Sequence, residues 1–386
     1  MPQATNGHSQ HVTVPLRIEH NRPFVDFEVK GADGSTHTAR FWIDTGGGAF
    51  IITEALARKL GMSWEEVIES DGSRFAPCSP PALSLAGMPV RLEHTQALVI
   101  LGQSVHMTPG VFADGQICGN LLAQYHVIFD YPHHQFTLAT PDTLTSQGTP
   151  LATPIHPESG FPRLEVQIDG QTYGMLLDTG ASHTMISRML LDTLTEAHPD
   201  WPRANGAVGT ANMGYEQADT KKCMLRLAKC TWGPYQLADV SVVSRDPGVF
   251  EERMSTWMAG PIVGALGGNI LRCFRVEIDY AGQTTYLEQY ATPTPHDMDL
   301  VGLTLLPQID GSYRVLEIAT GGNAPQISEQ IQAGDILLHV NQQEISGLSL
   351  ASAVDALRGV PSQMHTLQLE RAGQRREVQV PVRRIL

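Results

Sequence analysis

No run in the 386-residue chain approaches the ~20 consecutive apolar residues of a membrane-crossing helix, so no membrane span is expected. Met1 to Gln10 is polar and has no apolar segment of the kind that opens a secretory leader. Cys78, Cys118, Cys223, Cys230 and Cys273 are an odd, scattered set and do not read as a disulfide framework. Taken as written, these features fit a reducing, cytoplasmic compartment. With a leader already removed, they would fit a periplasmic or exported protein. Charge is scarce as well: 17% of residues, against a usual ~25%. The balance is acidic, with a net charge of −14, which repels phosphate backbones, so no nucleic-acid partner is expected. Fifteen histidines include no His-Glu-x-x-His or other ligand spacing. Gly264, Gly267 and Gly268 lack the Lys-Ser/Thr of a phosphate loop, and no Gly-x-Ser-x-Gly nucleophile turn occurs. No metal and no cofactor are therefore expected.

Turn formers, by contrast, are plentiful. The chain has 36 Gly and 25 Pro, which favours a β-rich architecture of two or three domains. The most informative pattern is an internal repeat. Gly119-Asn-Leu-Leu-Ala-Gln-Tyr-His-Val-Ile-Phe-Asp-Tyr131 aligns without a gap on Gly268-Asn-Ile-Leu-Arg-Cys-Phe-Arg-Val-Glu-Ile-Asp-Tyr280. Upstream, Phe41-Trp-Ile-Asp-Thr-Gly46 matches Met175-Leu-Leu-Asp-Thr-Gly180. Each copy runs in the same order: an alternating strand (24–29; 164–168), an apolar strand ending in Asp-Thr-Gly, a variable middle, Gly-Asn-x-Leu, and a strand closing on Asp-Tyr. Helix signals are few, at 53–60, 187–194 and 350–358. Turn-rich segments at 141–150 and 291–298 read as connectors.

Asp44 and Asp178 therefore each end a buried strand. Two carboxylates brought together cannot both ionise cheaply, so one keeps a proton. The ionised member can take a proton from a water held between them, while the protonated member polarises a scissile carbonyl. Gly46 and Gly180 permit tight turns and close approach of the two loops. Thr45 and Thr179 supply hydroxyls able to bond across an approximate two-fold axis.

With these motifs, residues 13–290 resemble two retropepsin-like aspartic protease units fused in one chain. Ala265-Leu-Gly-Gly-Asn-Ile-Leu271 is similar to the segment that supports the active-site turn in retroviral proteases and their bacterial relatives. The resemblance implies a mainly β fold with two β-barrel lobes related by pseudo-two-fold symmetry. The expected divisions are an N-terminal tail (1–12), lobe one (13–140), a linker (141–150), lobe two (151–290), a second linker (291–298) and a last domain (299–386). It further implies an aspartic endopeptidase acting on protein or peptide, with Asp44 and Asp178 catalytic and Thr45, Gly46, Thr179 and Gly180 holding the turns. A flap hairpin is expected at 206–215, with Gly209, Thr210 and Tyr215 as substrate contacts, and a weaker one at 70–79. Lobe one departs from the pattern at Gly47 and Gly48, and at Cys118, which stands where lobe two has Gly267. These departures are expected to loosen it. Neither motif has Ser or Thr directly after its Gly, so activity is expected at mildly acidic to near-neutral pH. A catalytically silent peptide-binding scaffold of the same fold is the alternative reading.

Residues 299–386 resemble a PDZ domain through Gly302-Leu-Thr-Leu305, Val315-Leu-Glu-Ile318, Ala324-Pro325 and Ala333-Gly-Asp-Ile-Leu337. The resemblance implies a carboxylate-binding loop at Gly302, Leu303, Thr304 and Leu305, and a ligand with an apolar C-terminus. Its arginines at 371, 375, 376, 383 and 384 read as a solvated strand face.

Overall fold

The computed structural model describes residues 10–70, 73–93, 95–102, 113–206, 223–308, 310–321, 327 and 330–386. Its two halves repeat one topology. In the first, a ten-stranded sheet is built around Arg22–Lys30, Thr36–Ile43, Gly115–Ile117, Phe50–Thr53 and Ala97–Leu101. In the second, Arg163–Ile168, Gln171–Leu177, Gly264–Leu266, Thr184–Ser187, Tyr235–Arg245 and Cys223–Trp232 follow in the equivalent order. There the first strand also pairs with Cys223–Trp232, which curls the sheet towards closure.

The sequence pattern explains the layering. Leu164, Val166 and Ile168 are buried while Glu165 and Gln167 are exposed, the period-two signature of a strand with one wet face. Phe41, Trp42 and Ile43 are buried on both faces, as are Met175, Leu176 and Leu177. The short helices begin where their caps predict. Thr53 accepts from the amide of Leu56, and Ser187 from that of Leu190.

A six-stranded sheet joins the halves, in the order His11–Pro15, Gln135–Ala139, His126–Asp130, Phe274–Asp279, Thr284–Gln289, Thr149–Ala152. Three strands come from each half. The closing strands of the repeat pair antiparallel at its centre, with Val127 opposite Ile278 and Phe129 opposite Val276. The segments read as loose ends therefore contain structure. Residues 11 and 12 of the expected tail start an edge strand, and the expected linker 141–150 runs into the opposite edge strand at Thr149. These backbones pair because each repeat leaves one sheet edge open.

The third unit has its own core around Val301, Leu303, Leu305, Val315, Leu337 and Leu367. Its sheet runs Leu303–Pro307, Tyr313–Ile318, Ile336–Val340, Met364–Arg371, Gln374–Pro381, and the described residues include a helix at Leu350–Ala356. The arginine-rich face is only partly solvated, which corrects the sequence reading. Arg371 and Arg376 both grip the buried Asp335 carboxylate, with contacts of 2.6 and 2.5 Å. Arg383 is buried and donates to the carbonyls of Val301 and Ala319. Arg375 and Arg384 remain largely exposed.

This unit docks on the second half. Thr320–Gly321 pairs antiparallel with Arg203–Asn205 and extends that sheet, with Ala204 opposite Gly321. The Thr304 hydroxyl donates to the Gly206 carbonyl at 2.6 Å. Asp297, in the expected second linker, forms a buried ion pair with Arg226 at 2.7 Å and accepts from Ser241. The connector is thus packed and bonded, and is no free tether.

Candidate active site

The two Asp-Thr-Gly turns meet at the pseudo-two-fold axis. Each is carried by the same local device. The strand leading into the Asp lies parallel to the short strand before Gly-Asn-x-Leu, with Ile43 beside Ile117 and Leu177 beside Leu266. The Asp amides then donate to those partners, Asp44 to Ile117 at 2.9 Å and Asp178 to Leu266 at 3.1 Å. The helical turns at Gly119 and Gly268 follow, and their first amides bond the Gly47 and Ala181 carbonyls.

Across the axis the threonines interlock. The Thr45 amide donates to Thr179 Oγ1 at 3.1 Å, and the Thr179 amide to Thr45 Oγ1 at 3.0 Å. Each hydroxyl in turn donates to the opposite strand, Thr45 to the Leu177 carbonyl at 2.6 Å and Thr179 to that of Ile43 at 2.7 Å. All donors here are buried and paired, so the lattice fixes the separation of the turns.

The glycines set how closely the carboxylates approach. A Cβ on Gly180 would collide with the Asp44 carboxylate, and one on Gly46 would lie 3.1 Å from the carboxyl carbon of Asp178. Asp44 and Asp178 lie close enough for each to perturb the titration of the other. Burial, and then the neighbouring Asp178 charge, push Asp44 well above the usual carboxylate range. Burial likewise raises Asp178, opposed by the amides of Ala181 and Gly180. The amides of Gly46 and Ala181 donate to the two carboxylates at 2.9 and 3.0 Å. Carboxylates coupled in this way titrate as a unit.

Arg22 is a site residue that sequence reasoning missed. It is buried, lies over the Trp42 ring, and donates through Nε to the Gly180 carbonyl at 2.9 Å. Its charge draws both aspartates back towards ionisation. Nothing near Arg22 in sequence marks it, because its partner lies in the other half. Asn269 is a second case. Its Oδ1 accepts from the amide and hydroxyl of Thr184, and its Nδ2 donates to the Ser241 carbonyl. The repeat pointed to this position without giving its bonds.

Two of the irregularities of lobe one, Gly47 and Cys118, are packed. A Cβ at Gly47 would collide with Gln116 Nε2, so the glycine makes room for that buried amide. Gly48 is exposed and crowds nothing. Cys118 is fully buried, and its thiol donates to Asn120 Oδ1 at 2.8 Å. Two of the three departures are thus accommodated, Gly47 by the Gln116 amide and Cys118 by its bond to Asn120.

His183 is buried beside His20, their rings 6.2 Å apart, and neither Nε2 has a partner among the described residues. Burial lowers His183 to about 4, which keeps it neutral. The proposed flap contacts Gly209, Thr210 and Tyr215 lie outside the described residues. The weaker flap region forms a hairpin between Ile68–Ser70 and Ser73–Pro77. In the third unit, Gly302 takes a left-handed φ of 85° and its carbonyl accepts from the Ala319 amide. Leu303–Pro307 is an edge strand of its sheet, beside the helix Leu350–Ala356. Arg383, also unforeseen, braces this loop from behind.

Residues 164–269 match the aspartyl protease family, and residues 298–370 match the PDZ domain family. The chain carries an aspartyl protease domain and a PDZ domain. No curated protein matches it. The protease match covers the second lobe alone; the first lobe is related to it by the repeated topology and the shared turn. The PDZ match spans the Gly302 loop and most of the third unit's own sheet. Among the described residues, no group of three or more His, Cys, Asp or Glu could hold a metal, and no helix is long and apolar enough to cross a membrane.

Proposed function

We propose that the chain is an aspartic endopeptidase in which Asp44 and Asp178 share one proton and activate a water between them. The observation that carries this reading is the interlocked pair of Asp-Thr-Gly turns, with two buried carboxylates each packed against the glycine of the opposite turn. The ionised carboxylate removes a proton from the water as it attacks the peptide carbonyl. The protonated one donates to the carbonyl oxygen, and the proton gained from water passes to the leaving nitrogen. The threonine lattice holds the pair rigid, so little reorganisation is needed at the moment of reaction. The Arg22 charge opposes the rise that burial causes in both carboxylates and so favours the ionised member of the pair. The PDZ domain presents the edge strand Leu303–Pro307 to an extended peptide with an apolar C-terminus, tethering substrate or regulating the lobes.

Cleavage of casein from pH 3 to 8 tests the reading. Wild type should cut, and Asp44→Asn and Asp178→Asn should each lose activity by about 10³-fold or more, as expected when one member of an acid–base pair is removed. Pepstatin serves as an added control. A chain that binds peptides but turns over none, even with the cleft uncovered as described below, would establish the silent scaffold.

A further inference from the structure

The second lobe's sheet has two faces. One buries Met175, Leu177, Ile186, Leu227 and Leu266 in the lobe core. The other carries Leu176, Met185, Met224, Val243 and Ala265. This second face borders the dyad: Leu176 Cδ2 would lie 3.0 Å from a Cβ on Gly46, beside the Asp178 carboxyl. A peptide whose scissile bond reaches the two carboxylates must cross it.

That face is not open. All five of its residues are at most 4% exposed, and Asp44 and Asp178 are 3% and 4% exposed. Phe161, Phe250, Met258 and Ile262 of the protease half cover part of it, and Ile385, Leu386, Leu300 and Ala319, from the PDZ side, complete the same buried cluster. The Ile385 amide is anchored to the Met298 carbonyl at 3.1 Å. Resting on the peptidase reading, we infer that the chain is self-covered: Ile385–Leu386, backed by Leu300 and Ala319, occupies apolar ground that a substrate would need.

The cover is tied to the rest of the PDZ domain. Arg383, two residues before Ile385, holds the carbonyls of Val301 and Ala319 on either side of the Gly302 loop. The ladder between Ala204 and Gly321 and the Arg226–Asp297 pair fasten the same domain to the lobe. Lifting the cover breaks these contacts together, which makes uncovering a two-state event of docked and undocked PDZ.

Methionine oxidation reads the cover directly, without using activity. In the full chain, dilute peroxide should oxidise the exposed Met189 and Met364, which are 63% and 51% exposed, and spare Met185 and Met224. Leu386→Asp should speed oxidation of Met185 by about tenfold or more, through a larger open population, and raise casein cleavage in step. Leu386→Met should behave as wild type. Met175, in the lobe core, reports unfolding and should stay protected. If it oxidises in step, Asp297→Asn, which breaks the docking pair and leaves the face intact, gives the decision by the same readings. Ready oxidation of Met185 in wild type, or unchanged oxidation and cleavage in the opened variant, overturns the inference. Oxidation of Met185 without any cleavage leaves the cover standing and removes the peptidase reading instead.

Discussion

Alanine substitutions in the two active-site turns should rank by the space each new methyl finds. None of Gly46, Gly47, Gly48 or Gly180 has a left-handed φ, so the series isolates steric contact from backbone strain. At Gly48 nothing lies within 4 Å of the new Cβ, and the variant should match wild type. At Gly46 the methyl meets Leu176 and Asp178 at 3.0 and 3.1 Å, a crowding relieved by shifts of a few tenths of an ångström. At Gly47 it strikes Gln116 Nε2, the end of a side chain that can swing aside. At Gly180 it strikes the Asp44 carboxylate, with even Oδ2 only 2.6 Å away. That group is buried and held by the Gly46 amide, so the turns must part by roughly 1 Å to restore van der Waals contact. Misplacement of about 1 Å costs on the order of 10²-fold in rate, and overpacking of this kind costs about 1–3 kcal/mol. Gly180→Ala should therefore lose about 10²-fold in kcat/KM on casein, measured in the Leu386→Asp background, and melt several degrees lower. Gly46→Ala and Gly47→Ala should lose about tenfold or less. Wild-type turnover by Gly180→Ala, or a larger loss at Gly48 than at Gly180, would refute the geometry argued for the dyad.

Three further outcomes follow from the same charges and contacts. Burial raises both aspartates, so the rate profile should peak at mildly acidic to near-neutral pH; a maximum below about pH 3 contradicts this. The raised pKa of Asp44 means its stabilising contribution is complete below the unfolded value of about 4 and lost as pH rises through the folded one. Asp44→Asn should thus raise Tm at pH 7, by about 2–4 °C per kcal/mol, and leave it unchanged at pH 3; calorimetry at both pH values decides. Asp335 has the opposite sign. Burial works against its charge, but hydrogen bonds from Arg371 and the Gln332 amide, with the Arg376 charge, hold its pKa below the usual value. Its stabilisation is present above the unfolded pKa and fades as pH falls through the folded one. Asp335→Asn should lower the melting temperature of the PDZ domain at pH 7 by the equivalent of about 3 kcal/mol or more, with the deficit shrinking in acid; equal melting of the two forms at pH 7 would contradict the role of this network.

The repeat was legible because its signals are local. Asp-Thr-Gly, Gly-Asn-x-Leu and Asp-Tyr each occupy a few adjacent residues, and their order in both copies implied two like halves. Helix starts at Thr53 and Ser187 were readable for the same reason, since a capping side chain bonds an amide three residues on. What stayed hidden depends on partners far apart in sequence. Arg22 looks like any surface arginine until Gly180 is placed beside it. Gly47 looks like a defect until Gln116 fills its space. The connector at 291–298 looks loose because the partners of Asp297, Arg226 and Ser241, lie in another domain. The same applies to Arg383, whose burial depends on two carbonyls that its own strand does not supply.

The six-stranded sheet between the lobes also sets an order of events during synthesis. Its central ladder needs both His126–Asp130 and Phe274–Asp279, so the two turns cannot be held together until the second strand has been made. Ile385 and Leu386 are added about a hundred residues later, which at about 5–20 residues per second is a delay of roughly 5–20 s. A nascent chain would therefore pass through an interval in which the paired carboxylates exist and their cover does not. On the peptidase reading, any discrimination against self-cleavage or cleavage of neighbours in that interval must come from the rate of folding and not from the finished structure.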